Sequence, residues 1–384
     1  MIAELGSLLS HSEQSAGPVL GKLTPKDASP DKRRSGPFPD NEVRKDRETQ
    51  TSEIEALCEE EPLMDEYRPF AGDANSNTGL PEPGKIGFVG LDRMGTAMAK
   101  NLAAVGQQVV AYVRHPNRVH ELTALGLGPT TDITDLFDCD IVISMLPDDA
   151  AVLDVTFGHA DLGFGVGLRR GAIHLSMSTI STIAAAHLAR EHARLGQGYV
   201  AAPVFGNPDA AKARQLFIVM AGAPADVERC RPLIGHLGQQ TFIVGTDPGN
   251  ANLIKLLGNM MMATTLEMLG ESIALFRKRG LDPKLLVEIL TSTLFGGRAH
   301  RLYGDKIVAE RYAPGLALPL ALKDVRLALA EAEKAGAPMP SVGVVWDRLI
   351  TAIARGHGDL DWTALGLVAA EEAGLVPLTA AAAE

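Results

Sequence analysis

Short apolar runs alternate with amphipathic helical patterns through the part of the chain that starts at Gly84. The runs have the length of buried strands and span residues 85–89, 108–113, 140–146, 172–177, 198–202, 217–221 and 241–244. Helical stretches such as residues 180–195 lie between them. Strands that alternate with helices predict parallel βαβ units with right-handed crossovers. This region is therefore predicted to be a doubly wound α/β domain, residues 84–247.

From residue 249 to about residue 355 the pattern predicts helices only. Residues 249–279 support one long helix, which ends in Lys and Arg followed by Gly280, as helix C-termini commonly do. The second half of the chain is therefore predicted to be an all-α domain, residues 248–370.

Residues 1–83 differ from everything that follows them. They are rich in Ser, Pro, Asp, Glu and Lys and show no sustained apolar periodicity. Such a segment cannot bury enough surface to offset its ordering entropy, so we expect a disordered extension or a start site placed too far upstream. A regulatory or partner-binding arm is the alternative. The apolar stretch near the N-terminus is short and contains Glu4, which argues against a secretory signal.

The overall composition is that of a soluble globular protein, with 46% hydrophobic and 22% charged residues. The formal net charge of −11 argues against binding to nucleic acid. No apolar run reaches the ~18 residues of a membrane span. The three cysteines are too few for a disulfide framework and wrongly spaced for zinc, and the histidines show no ligand pairing. We expect a cytoplasmic protein with free thiols and without a metal.

The first strand runs into a glycine-bearing turn that reads Gly90-Leu91-Asp92-Arg93-Met94-Gly95. A dinucleotide-binding turn has the pattern G-x-G-x-x-G between a strand and a helix. Gly90 suits the tight turn and Gly95 suits close packing of helix on strand. The middle glycine, which lets the backbone approach the pyrophosphate, is replaced by Asp92.

The carboxylate of Asp92 predicts weakened rather than abolished cofactor binding. At about 4 Å from a phosphate it would cost about 4 kcal/mol at an effective dielectric near 20. Two arrangements would relieve this repulsion. The side chain could rotate toward solvent, or Arg93 could neutralise it and reach the phosphates itself.

The second strand is followed by two arginines, Arg114 and Arg118. An NAD-preferring site usually has Asp or Glu here, bonded to the ribose 2′-hydroxyl. A guanidinium group suits a 2′-phosphate instead, so NADP(H) is favoured over NAD(H). A pair of solvated surface arginines is the alternative interpretation.

Several local motifs occur together in one order along residues 85–367. They are Gly87-Phe88-Val89-Gly90-Leu91 with Met94-Gly95, Met145-Leu146-Pro147, Ser176-Met177-Ser178-Thr179, Ala202-Pro203-Val204, Lys255 to Asn259, Leu322-Lys323-Asp324 and Asp361-Trp362-Thr363. This order resembles the β-hydroxyacid dehydrogenase family, which includes 3-hydroxyisobutyrate dehydrogenase and is related to 6-phosphogluconate dehydrogenase and the imine reductases. The resemblance implies a Rossmann domain, a helical domain built around one long helix, and an active site between them.

The resemblance also implies roles for individual residues. Met145, Leu146, Pro147 and Thr179 match cofactor-contacting turns, and Lys323 matches a lysine that closes over the nicotinamide side. Lys255 matches the catalytic lysine and Asn259 the asparagine that orients the substrate.

The helical spacing around Lys255 supports a catalytic role independently of the resemblance. Lys255 and Asn259 are four residues apart and Asn252 lies three residues before Lys255, so all three share one face of the predicted helix. The surrounding residues are largely apolar, and burial would lower the pKa of the lysine toward neutrality, which suits proton transfer. A lysine that snorkels to solvent at a domain seam is the alternative.

The predicted substrate loop departs from the family pattern D-A-P-V-S-G-G. Here it ends in Phe205-Gly206-Asn207, so the serine hydroxyl that normally holds a substrate carboxylate is replaced by an aromatic ring. The sequence therefore predicts an NAD(P)-dependent oxidoreductase for a hydroxyacid-type or other carbonyl substrate. Imine reduction and a non-catalytic cofactor-binding scaffold are the alternatives. The apolar surface of the long helix, including Met260 to Met262, predicts a homodimer through the helical domain.

Overall fold

Ten strands form one sheet in the part of the chain that the computed structural model describes, residues 68–71, 84–158 and 163–376. The strands are β1 (Arg68–Ala71), β2 (Lys85–Val89), β3 (Gln108–Tyr112), β4 (Gly128–Thr130), β5 (Ile141–Ser144), β6 (Ile173–Ser176), β7 (Gly198–Ala201), β8 (Val204–Phe205), β9 (Leu216–Gly222) and β10 (Gly238–Ile243). Their order across the sheet is β1-β10-β9-β7-β6-β5-β2-β3-β4, and β8 pairs with β9.

The strands from β4 to β7 in that order are all parallel to their neighbours. Every residue of β5 and β6 is buried, as expected for central parallel strands that are covered on both faces. The order β4-β3-β2-β5-β6-β7 is that of a doubly wound dinucleotide-binding sheet, so the predicted Rossmann-type fold is confirmed. In such a sheet a ligand binds beyond the carboxyl ends of β2 and β5, where the winding direction reverses.

The last strands depart from the predicted parallel arrangement. β9 and β10 are parallel to each other, but β9 is antiparallel to β7. The chain reverses direction after β7, where β8 folds back on β9 with Val204 opposite Ile218 and Phe205 opposite Phe217. The antiparallel edge strand β1 lies within the predicted disordered extension, residues 1–83. Apart from β1, that prediction lies outside the described residues.

Helices connect the strands and make up the second half of the chain. They are α1 (Arg93–Ala104), α2 (Val119–Ala124), α3 (Asp149–Phe157), α4 (Phe164–Gly167), α5 (Thr182–Arg194), α6 (Pro208–Lys212), α7 (Pro224–Gly235), α8 (Pro248–Lys278), α9 (Pro283–Thr291), α10 (Arg298–Val308), α11 (Leu318–Ala335), α12 (Pro340–Ala352) and α13 (Leu365–Glu372). The elements described within residues 248–376 are helical, which confirms the predicted all-α half. None of the described helices has both the length and the apolar character needed to cross a bilayer.

The 31-residue helix α8 connects the two halves of the fold. It begins where the Asp247 carboxylate accepts a hydrogen bond from the Gly249 N–H at 2.9 Å and Pro248 occupies the first turn. It packs against α11 and α13 of the helical half and also against α5 and β9 of the α/β half. Residues on its first turns are therefore placed against the sheet.

Candidate active site between the two halves

The turn after β2 requires both of its glycines. Gly90 has a φ of +88°, and a Cβ atom there would lie 2.2 Å from the carbonyl oxygen of Met145. A Cβ atom on Gly95 would lie 1.9 Å from the carbonyl oxygen of Gly90. The turn is therefore in close backbone contact with the segment that follows β5, and the two predicted cofactor-contacting turns lie side by side.

Asp92 is exposed to solvent, which agrees with the first of the two arrangements expected from the sequence, and its carboxylate also takes part in the turn. It is the N-cap of α1, and its Oδ1 accepts hydrogen bonds from the N–H groups of Met94 at 3.0 Å and Gly95 at 3.1 Å. Its neighbour Arg93 instead donates to the carbonyl oxygen of Pro314 in the helical half. N–H groups at a helix N-terminus are the ones that bind a phosphate, so the carboxylate occupies two donors of the predicted pyrophosphate site.

The two arginines after β3 have different partners. Arg118 donates to the carbonyl oxygen of Leu91, within the turn, and pairs with Glu121 at 3.1 Å. Arg114 forms an exposed ion pair with Asp154 at 3.2 Å. Exposed pairs of this kind contribute about 0–1 kcal/mol, so both guanidinium groups can exchange their partners for a phosphate at little cost.

Lys323 on α11 joins the helical half to the loops that follow β5 and β6. Its Nζ donates to the carbonyl oxygen of Pro147 at 2.8 Å and to that of Thr179. It also lies 3.0 Å from Oδ1 of Asp324. The lysine and the two predicted cofactor-contacting turns therefore meet at one place, beyond the carboxyl ends of the central strands.

Lys255 is buried at the crevice with a chain of polar partners. Lys255 is 8% exposed, and its Nζ donates to Oδ1 of Asn259 at 2.7 Å. The Asn259 amide nitrogen in turn donates to Oδ2 of Asp324 at 2.6 Å. Asp324 is itself 3% exposed. The lysine, amide and carboxylate form one hydrogen-bonded row that links α8 to α11.

Burial lowers the pKa of Lys255 from its ordinary value to about 8. The field of Asp324 opposes that effect and the field of Lys323 adds to it. At neutral pH the amine is mainly protonated, yet it gives up its proton within about one pH unit. A group with a pKa so near the working pH is suited to general acid–base chemistry.

Asn252 completes the polar face of α8. It is 1% exposed, and its Oδ1 accepts from the N–H of Ile180 at 3.3 Å. Its amide nitrogen has no partner among the described residues. A buried donor left unpaired is costly, so this nitrogen is a candidate contact for a polar group of a bound ligand.

The predicted substrate loop follows β7. The Phe205 ring lies over Lys255, with 4.4 Å between Nζ and the ring centroid. Gly206 has a φ of +145°, a conformation that L side chains rarely adopt. Asn207 is the N-cap of α6 and accepts from the N–H of Ala210 at 2.9 Å. The structure therefore brings Phe205 into contact with Lys255, while the side-chain Oδ1 of Asn207 caps α6.

Sequence reasoning quoted Asp324 only as part of a motif and missed Gly258 entirely. Asp324 receives the hydrogen bond from Asn259, although 65 positions separate the two residues. A Cβ atom on Gly258 would lie 2.4 Å from the Phe205 ring, so glycine is what admits the ring. The signal for Gly258 was available, since an isolated glycine inside a helical pattern often marks close packing.

A buried histidine pair behind the crevice was also missed. His174 lies 2.8 Å from the Ser144 hydroxyl and 2.9 Å from His192, measured to the ring nitrogens. Burial lowers the pKa of His192 to about 4 and that of His174 well below its usual range, so both are neutral near pH 7. Through these hydrogen bonds the two histidines connect strands β5 and β6 to helix α5.

Two family models match consecutive parts of the chain. Residues 85–245 match the NAD-binding domain of 6-phosphogluconate dehydrogenase. Residues 249–369 match the NAD-binding domain of NADP-dependent 3-hydroxyisobutyrate dehydrogenase. Together they cover both halves of the fold described above.

Individual proteins are similar over the same region. An uncharacterised oxidoreductase of Bacillus subtilis is 38% identical over 283 residues, which is 73% of this chain and 98% of the relative. The 2-hydroxy-3-oxopropionate reductase of Escherichia coli is 30% identical over 73% of this chain and 95% of its own length. The crystal structure of 3-hydroxyisobutyrate dehydrogenase from Salmonella typhimurium matches with a TM-score of 0.68 at 20% identity, over 74% of this chain and 99% of that one. At that identity the structural match supports the fold.

Proposed function

Because this chain belongs to the 3-hydroxyisobutyrate dehydrogenase-like family of NAD(P)-dependent oxidoreductases, we propose that it transfers hydride between NADP(H) and a hydroxyacid-type or other carbonyl substrate, with Lys255 as general acid and base. In this proposal residues 84–247 bind the cofactor, and residues 248–370 supply the proton-transfer group and the dimer interface. The observation that carries it is the buried amine of Lys255, which lies in the crevice with a pKa of about 8.

The residues around the crevice fit a dinucleotide. The two close-packed glycines form the strand-to-helix turn, and the amide nitrogen of Asn252 is a buried donor that lacks a partner among the described residues. The turn from Gly90 to Gly95, the segment Met145 to Pro147, Thr179 and Lys323 would hold the cofactor. Bound NADP(H) supplies the hydride donor or acceptor for the substrate carbon.

A preference for NADP(H) over NAD(H) is supported by the charges after β3. This strand is followed by Arg114 and Arg118 where an NAD site would place a carboxylate. The guanidinium of Arg118 already lies against the turn through the carbonyl oxygen of Leu91. Two guanidinium groups held by weak exposed ion pairs suit a 2′-phosphate.

Lys255 would move the proton that accompanies hydride transfer. In reduction its ammonium group donates a proton to the carbonyl oxygen as hydride adds to the carbonyl carbon. In oxidation the neutral amine accepts the hydroxyl proton. Asn259 orients the ammonium group by accepting its hydrogen bond, and Asp324 holds the Asn259 amide in the required rotamer.

We expect carbonyl reduction to lose rate above about pH 8. The reaction needs the protonated amine, and because burial lowers the pKa of Lys255 to about 8, the protonated fraction falls tenfold for each further pH unit. The oxidation direction should show the opposite dependence and gain rate through the same range. The measurement is the pH profile of NADPH oxidation with a panel of aldehydes, keto acids and cyclic imines.

Two results of that measurement would contradict the proposal. A reduction rate that is flat to pH 10 would exclude Lys255 as the proton donor. Absence of NADPH oxidation with every panel member, while NADPH binds, would favour the non-catalytic scaffold.

We also propose a homodimer through the helical half. Four apolar side chains of α8 recur every seven residues and are 40%, 64%, 55% and 66% exposed: Ile254, Met261, Met268 and Leu275. A repeat of seven residues places them along one stripe of the helix, and a stripe of this kind is typical of helix–helix interfaces.

Introducing negative charges in the middle of this stripe should convert the dimer to monomers. The double change of Met261 and Met268 to Glu would bury two carboxylates in the interface, which is unfavourable without cationic partners. Light scattering should report a dimer mass for the wild type and for an Arg190→Glu control on the exposed face of α5, and a monomer mass for the double variant. A monomer mass for the wild type would refute the proposal.

A further inference from the structure

The short strand β1 closes one end of the sheet. It runs antiparallel to β10, and its four residues lie opposite consecutive residues of that strand, from Arg68 opposite Ile243 to Ala71 opposite Gln240. The first family model begins at residue 85, so β1 precedes the region that matches the family. Because β10 pairs with β9 on its other side, β1 occupies what would otherwise be the edge of the sheet.

The strand that β1 covers has the composition of an association-prone edge. Residues 239–244 consist of two glutamines, a threonine and three apolar residues, and they include neither a charge nor a proline nor a glycine. Segments of six or seven residues with this composition pair readily with copies of themselves, and the unpaired backbone groups of an edge strand act as the template. The register shift between β10 and β9 lies between Gly238 and Gln240, so the stretch that faces β1 begins where the ladder becomes regular.

β1 has the opposite features. It is four residues long and contains Arg68 and Pro69. A short strand, a charged residue and a proline, which has no N–H to donate, each disfavour the addition of a further strand. The other end of the sheet carries the three-residue strand β4, which has Pro129 at its centre. Both ends of the sheet, as far as the structure describes it, therefore carry a short strand that contains a proline.

We propose that residues 68–71 act as a guard strand, which keeps the β10 edge of one copy of this chain from pairing with the β10 edge of a second copy. Two identical strands that pair antiparallel are related by a two-fold axis, so this association needs no second surface. Six strand spacings of about 4.8 Å separate β1 from β2, and residues 72–84 can extend over about 45 Å, so the connection lies within reach of a single chain. The guard function is independent of the proposed hydride transfer.

The full-length double variant Phe70→Pro/Ala71→Pro should lose the guard strand. Successive residues of a strand direct their N–H groups to opposite sides, so one of the two prolines removes a donor to β10. In dilute protein, hydrogen exchange should become at least about tenfold faster at those amides of residues 240–243 that face β1. At high protein concentration, light scattering should report at least about twice the wild-type mass, because the uncovered edges pair.

Two further variants locate the effect. Asp73→Pro/Ala74→Pro introduces the same two prolines beyond the end of β1, so it should keep the wild-type mass and the wild-type exchange rates. Adding Gln240→Lys to the associating variant should restore the wild-type mass, because a two-fold pair of β10 strands would bring like charges from both copies onto one ladder. Circular dichroism checks that each variant is folded.

Three results would overturn the proposal. The first needs only the wild type: if the amides of β10 that face β1 exchange as fast as those of an unstructured peptide, β1 does not cover the edge. The second is faster exchange in the double-proline variant without a rise in mass, since the uncovered edge would then not associate. The third is a rise in mass that Gln240→Lys leaves unchanged, because the association would then involve another surface.

Discussion

Lys255→Ala should reduce turnover by about 10²–10⁴-fold while leaving the dissociation constant of NADPH nearly unchanged. This is the usual contribution of a positioned acid–base group, and alanine removes the proton donor without touching the turn that would hold the pyrophosphate. The remaining activity should also lose the decline above about pH 8, because the group whose pKa is lowered to about 8 is gone. The measurement is steady-state NADPH oxidation combined with a fluorescence titration of the cofactor.

The same helix offers a matched control for Lys255. Lys278 is a second lysine of α8, at its exposed C-terminal end, and Lys278→Ala should retain wild-type turnover. Near wild-type turnover in Lys255→Ala would eliminate the proposed role, whatever the behaviour of the control. A loss of both turnover and cofactor affinity would show that Lys255 acts in binding rather than in proton transfer.

Asp92→Gly should tighten NADPH binding by about 10–100-fold. The carboxylate accepts from the N–H groups of Met94 and Gly95, which a phosphate at the helix N-terminus would otherwise bind, and it adds a negative charge beside that phosphate. Because its side chain is exposed, solvent screens much of the repulsion, so we expect an effect below the several-hundred-fold that an unscreened charge would produce. Calorimetric titration of both proteins with NADPH measures the difference.

Asp92→Asn distinguishes the two reasons for weak binding. Asparagine caps a helix about as well as aspartate, so it keeps both N–H groups occupied and removes only the charge. Tighter binding in both variants would show that the charge is responsible, whereas tighter binding in Asp92→Gly alone would show that the occupied donors are. If neither variant differs from the wild type, the carboxylate does not oppose the cofactor.

The strands and the long helix could be predicted because the residues that favour them, apolar runs and helix-end signals, are neighbours in the sequence. β2 has the predicted limits, and α8 begins and ends within one residue of its prediction. An apolar run bounded by glycine or proline carries its signal within a few residues, and so does a helix that is followed by Gly280. The antiparallel return of β9 carried no such signal, since the run of apolar residues is the same for either strand direction.

Patterns along the chain were enough to predict the doubly wound sheet, the helical half, the two turn glycines and the shared face of Asn252, Lys255 and Asn259. These follow from spacing along one element, where the backbone geometry is known in advance. Three contacts became visible once the chain was folded: Asp324 accepts a hydrogen bond from the Asn259 amide, Asp92 caps its own helix, and the Phe205 ring lies on Lys255 against Gly258. Each of these depends on which of several available partners a side chain meets once distant segments or competing rotamers are packed together, and no periodicity in the chain records that choice.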